Sequence, residues 1–95
     1  MSYIYMIDRL TAAEANLEKE NAPQLALIQM NEIMEECTAD DENLYEEDFD
    51  AIYEDVETAR NNIQLGINYG AIKGRVNHML ALQYIKRAIK YYNDL

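Results

Sequence analysis

Apolar residues recur along this chain at intervals of three and four, the period of one helix face, rather than at the alternation of a strand. Tyr3, Met6, Leu10, Ala13 and Leu17 follow one another in 3-4-3-4 steps, which predicts an amphipathic helix over 3–20. Two features compete with that reading. Residues 3–7 are rich in strand-favouring side chains, and Thr11-Ala-Ala-Glu14 is a capping box that would start the helix later. A strand at 3–7 would find no partner elsewhere in the chain, so helix is expected there.

Asn21-Ala-Pro23 stops this first helix, because proline forces the preceding residue out of the α region yet suits the first turn of a new helix. Leu27, Met30, Met34 and Cys37, flanked by Ala26 and Ile33, then predict a second helix over 23–37. Thr38-Ala-Asp-Asp-Glu-Asn43 reads as a loop. Asn43 is a good N-cap, and Glu46, Glu47 and Asp48 stand where a helix N-terminus favours negative charge. Tyr45, Phe49, Ile52, Val56, Ala59 and Ile63 extend a third helix over 44–64. Gly66 is expected to end it with a turn, and Asn68 or Gly70 to open the last helix, over 69–93.

That last helix is two-sided. Ile72, Val76 and Met79 fall on one face of a helical wheel, while Ala71, Gly74, His78, Leu82, Ile85, Ile89 and Tyr92 fall nearly opposite. Past Leu80 the first face becomes polar and basic, with Gln83, Lys86, Arg87 and Lys90. Such a helix is either central or in contact with something outside the chain. Self-association as a dimer through residues 69–92 is the expectation, carried by Ile72, Val76, Met79, Leu82 and Ile85. Gly66, Gly70 and Gly74 recur every four residues; a turn is expected at Gly66 and close helix packing at Gly74.

The fold expected is therefore all-α, a small bundle of about four amphipathic helices forming one domain over residues 1–95. Composition supports it. Three glycines and one proline leave few turns for an all-β chain, and 49% hydrophobic residues exclude a disordered acidic tail. The single Cys37 cannot form an internal disulfide, which fits a reducing compartment. The start of the chain has no basic n-region, and no apolar run approaches a membrane span. A cytoplasmic protein is expected, in the host cell if the chain is viral.

Charge changes the picture most. Residues 1–20 carry four acids and two bases, residues 21–59 thirteen acids and no base, and residues 60–95 six bases and one acid, Asp94. On the third helix Glu47, Asp50, Glu54 and Glu57 form one ridge opposite the apolar stripe. Asp48 and Asp55 flank it, and Glu32, Glu35 and Glu36 add charge on the second helix. Helical rise spaces successive ridge carboxylates by about 4.5–6 Å, of the same order as phosphates along a nucleic-acid strand. Like charges at this spacing cost a few tenths of a kcal/mol per pair, which interleaved lysines would relieve. Their absence points to a useful field, one that steers toward a basic cleft; the plain alternative is a solvated face that keeps the protein soluble.

No catalytic, phosphate-loop or dinucleotide pattern occurs, so no enzyme and no cofactor are expected. Asp40-Asp-Glu-Asn-Leu-Tyr-Glu is rich in oxygen but lacks the glycine and spacing of a calcium loop, and no metal is expected. His78 sits on an apolar face and reads as a packed residue. Lys86, Arg87 and Lys90 are too few on a chain of net charge −10 to imply direct contact with nucleic acid. Tyr45 and Tyr53, beside acids, suit interface anchoring.

The reading that follows is a non-enzymatic inhibitor whose acidic helices occupy a basic, nucleic-acid-binding surface of a partner protein. In character the profile is similar to DNA mimics and anti-CRISPR antagonists, although no motif carries a family. The other readings are a self-associating assembly protein and an immunity or antitoxin protein that neutralises a basic toxin.

Overall fold

The computed structural model describes residues 3–39 and 45–95, and the described chain consists of four helices: α1 (Ile4–Glu18), α2 (Pro23–Ala39), α3 (Glu46–Lys73) and α4 (Arg75–Asp94). No strand occurs among the described residues. Residues 4–7 are helical, as expected. Thr11 does not cap; it lies inside α1 with its hydroxyl donating to the Ile7 carbonyl at 2.7 Å. The chain reverses at Asn21, whose φ of 50° is one that asparagine tolerates. The Ala22 N–H reaches back to the Asn16 carbonyl at 2.7 Å, and Pro23 opens α2. The second helix runs on to Ala39, through the start of the expected loop. The rest of that loop, with the Asn43 cap and the oxygen-rich stretch, lies outside the described residues.

Each helix packs on its two neighbours around an up-and-down bundle, α1 on α2, α2 on α3, α3 on α4 and α4 on α1. The apolar stripes meet in one core of Met6, Leu10, Ala13 and Leu17 from α1, Ala26, Met30, Ile33 and Cys37 from α2, Ile52, Val56, Ala59 and Ile63 from α3, and Ala81, Ile85, Ala88 and Tyr92 from α4. At one end Tyr3 lies 5.5 Å from Tyr92 between ring centroids, and the Cys37 sulfur and Tyr92 hydroxyl are 3.6 Å apart.

The break between the third and last helices falls at Gly70, one of the two residues expected to open the last helix, but the role of Gly66 needs correction. Gly66 does not end a helix. It is buried within α3, and the chain reverses at Gly70, where φ and ψ are 91° and 173°, so that residues 71–73 lie beyond the break. Gly74 lies past the corner in helical conformation, with φ −79° and ψ −6°, its N–H donating to the Gly70 carbonyl at 2.8 Å and its carbonyl accepting from the His78 N–H at 3.1 Å. A Cβ on Gly74 would run into the Gly66 carbonyl, and a Cβ on Gly66 would meet the His78 ring. Glycine is therefore needed at Gly66 for close helix approach rather than for a turn. His78 fills the space, half-buried, with its Nε2 buried and without a hydrogen-bond partner.

Helix lengths set the outline. At about 1.5 Å per residue, α3 up to the break at Gly70 is about 36 Å long and α1 and α2 are each under about 26 Å. The bundle measures 40 × 20 × 20 Å, so the α3–α4 hairpin overhangs the shorter pair. Between Ile63 on α3 and Ala81 on α4, the glycines Gly66 and Gly74 are buried but no residue with a side chain is.

Candidate functional site: an acidic helix face

The 3-4-3 ridge survives in three dimensions. Glu47, Asp50, Glu54 and Glu57 are all exposed along α3, opposite Ile52, Val56 and Ala59, with Glu46 also exposed in the first turn. None of the ion pairs among the described residues engages them. The pairs fall elsewhere: Arg9 with Glu32 and Glu36, Lys86 with Glu18, Arg87 with Asp55, and Lys90 with Asp94. The negative field of the ridge is thus left to solvent.

The other predicted acids divide by use. Glu35 is exposed at the rim of a shallow depression shared with Tyr53 and Arg60. Glu32 and Glu36 are held by Arg9, whose guanidinium lies 2.6 Å and 3.1 Å from them and also donates to the Tyr5 hydroxyl at 2.7 Å. Asp48 is half-buried and accepts a hydrogen bond from the Tyr91 hydroxyl at 2.7 Å. That bond, with burial and the charges of Asp48 and Glu47, raises the Tyr91 pKa above its ordinary value.

Asp55 does not belong to the exposed face, contrary to the sequence reading. It is 6% exposed, with Arg87 Nε 3.6 Å from its carboxylate. Burial raises its pKa above the ordinary value; Arg87 pulls the other way and Glu54 adds to the rise. The helical wheel puts Asp55 close to the apolar stripe, and its burial follows from the neighbouring α4.

Two open grooves border the ridge. One, of about 460 Å³, lies between α3 and α4 and is lined by Glu54, Asp55, Tyr84, Arg87, Lys90 and Tyr91 among others. The second, of about 370 Å³, is formed by Tyr45, Glu46, Glu47, Asp48 and Asp50 at the start of α3. Tyr45 is strongly exposed beside these acids, whereas Tyr53 is half-buried and stacks on Phe49 at 5.6 Å. Lys86, Arg87 and Lys90 are each paired within the chain.

The predicted self-association residues separate as well. Ile72, Val76 and Met79 are exposed and Leu82 is half-buried, but Ile85 is fully buried in the core of its own chain and presents nothing outward. Leu65, Tyr69 and Leu80, which the sequence reading did not single out, join the exposed set. Carrying the third helix through Gly66 would have found the first two, since Tyr69 follows Leu65 four residues on. Among the described residues no group of three or more His, Cys, Asp or Glu is placed to hold a metal ion, and no helix is long and apolar enough to cross a membrane.

In class the protein is an all-α four-helix bundle with charge concentrated on one side. The chain matches no protein-family model, no curated protein and no solved structure.

Proposed function

We propose that this protein is a non-enzymatic binding protein that presents the α3 ridge to a basic, nucleic-acid-binding surface of another protein and competes there with nucleic acid. The observation that carries the reading is the set of four exposed carboxylates, Glu47, Asp50, Glu54 and Glu57, on one ridge that no base among the described residues pairs. The fold has eight bases and spends none on this ridge. Repulsion within it goes unrelieved although a single lysine at an interleaved position would reduce it. Rigid helical presentation adds to the field, because the carboxylates need little ordering when they meet a cationic cleft.

The mechanism is substitution of carboxylates for phosphates. Long-range attraction accelerates encounter, and the grooves beside the ridge admit arginine or lysine side chains of the partner. Tyr45, exposed at the ridge's start, supplies an amphipathic anchor.

The test compares the wild-type chain with a variant in which Glu47, Asp50, Glu54 and Glu57 are all replaced by Gln. Both are immobilised and challenged with cell extract at low and high salt, and retained proteins are identified. Nucleic-acid-binding proteins should be retained by the wild type at low salt, released by high salt and displaced by added nucleic acid. The Gln variant should not retain them. Equal retention by both chains at every salt concentration would remove this reading.

A further inference from the structure

The end of the bundle opposite the acidic start of α3 is its most apolar exposed region. Ile72 is 91% exposed, Val76 66%, Tyr69 57% and Met79 55%, with Leu65 and Leu80 also exposed. They lie on the overhanging corner, Leu65 and Tyr69 before the break at Gly70, and Ile72, Val76, Met79 and Leu80 after it. Scaled by side-chain size, these exposures amount to roughly 700 Å², above the roughly 300–600 Å² of the largest patch on an ordinary monomer.

We infer that this corner is a homotypic interface, at which a second copy of the chain docks corner to corner about a two-fold axis. Area is the first argument. Two such patches brought together bury on the order of 1,300 Å², within the roughly 1,200–2,000 Å² of stable protein interfaces. Charge distribution is the second. Residues 58–93 contain no acid, and the corner carries only Lys73 and Arg75 as charges. A side-by-side meeting through the α2–α3 face sets the acids of those helices against their counterparts. A corner-to-corner meeting instead puts the two acidic regions at opposite ends of the pair. Each copy is 40 Å long, several times the Debye length of about 8 Å at physiological salt, so their repulsion is screened. A two-fold axis also closes the contact, so that the same patch is covered on both copies.

The interface does not depend on the ridge. It is tested by sedimentation equilibrium of the full chain from low to high micromolar concentration. A dimer is expected, unweakened by added salt and kept by the four-Gln ridge variant. Replacing two apolar side chains at the corner, Ile72→Asp with Val76→Asp, should weaken dimerisation by about a hundredfold or more while helical circular dichroism stays unchanged, because both residues are exposed in the single chain. As a second readout, Ile72→Cys should give a disulfide-linked dimer under mild oxidation, and Glu57→Cys should not. A wild-type chain that stays monomeric throughout overturns the inference. So does a double variant that still dimerises, or Glu57→Cys cross-linking as readily as Ile72→Cys. A monomer that floats with phosphatidylglycerol vesicles, and loses this in the double variant, overturns it in favour of a lipid surface.

Discussion

At Gly66 and Gly74 a hydrogen in place of a side chain is what lets the end of α3 and the start of α4 approach. A methyl on Gly74 meets the Gly66 backbone, which cannot move aside, whereas a methyl on Gly66 meets chiefly the tip of the His78 ring, which can rotate. Gly74→Ala should therefore destabilise by about 2–3 kcal/mol and Gly66→Ala by less, measured by thermal or urea unfolding. Around Gly70 the space is open, and there the cost is conformational: Gly70→Ala should lose about 1–3 kcal/mol because φ 91° with ψ 173° is essentially a glycine conformation. Close packing at Gly74 was readable in the sequence from the small residue beside His78 and Leu82. The role of Gly66 was not, because a glycine after a helical stripe looks the same whether it ends the helix or admits a neighbour. Asp55 gives a second residue-scale prediction. Its pKa is higher in the folded chain than the ordinary 3.8, so the folded state holds the proton more tightly. Its contribution thus falls as pH rises from the ordinary value through the folded one, and at neutral pH the buried charge opposes folding. Arg87 is largely exposed and loses little without its partner. Asp55→Asn should melt at or a few degrees above the wild type at neutral pH, with the gap closing as pH falls through that window.

At the scale of elements, the 3-4 periodicity located all four helices, because each contributes a spaced set of core residues to one stripe. It also left Gly70 as one of two places for the corner, and the backbone breaks there. Residues 71–73 follow the break at Gly70 and run on into α4 through the Gly74 N–H bond to the Gly70 carbonyl, so a wheel over the last helix describes one segment. The two-sidedness read from the sequence is kept in the structure. Ile72 sits on the corner, Val76 and Met79 lie on the outer side of α4, and Ile85 faces the core. Periodicity also says nothing of which stripes run past the reach of their neighbours, and that depends on the relative lengths of α1 and α3. The α1–α2 pair is joined by Arg9, whose guanidinium meets Tyr5, Glu32 and Glu36 at once. Arg9→Ala should cost about 1 kcal/mol in urea unfolding, and Arg9→Lys should restore only part of it, since an ammonium cannot reproduce the fork.

For the whole molecule, the uneven charge found in the sequence becomes a polarity along the bundle, acidic at the start of α3 and apolar and weakly basic at the corner. Removing the four ridge charges should raise the melting temperature by a few degrees at low salt, and added salt should bring the wild type toward the same value. The chain's acids were all visible in the sequence; their division into ridge, Arg9 clasp and buried Asp55 was not, because it depends on which helix each one faces. The overhanging corner has one more consequence, in the exchange of backbone amides with solvent. Amides near Met30, Ala59 and Ile85 lie in the common core and open only with the whole fold. Those of residues 69–76 are secured by two helix ends alone, so they should exchange by local opening at a far smaller free energy. If a second copy covers the corner, the same amides should slow as protein concentration rises, while those of the core do not change.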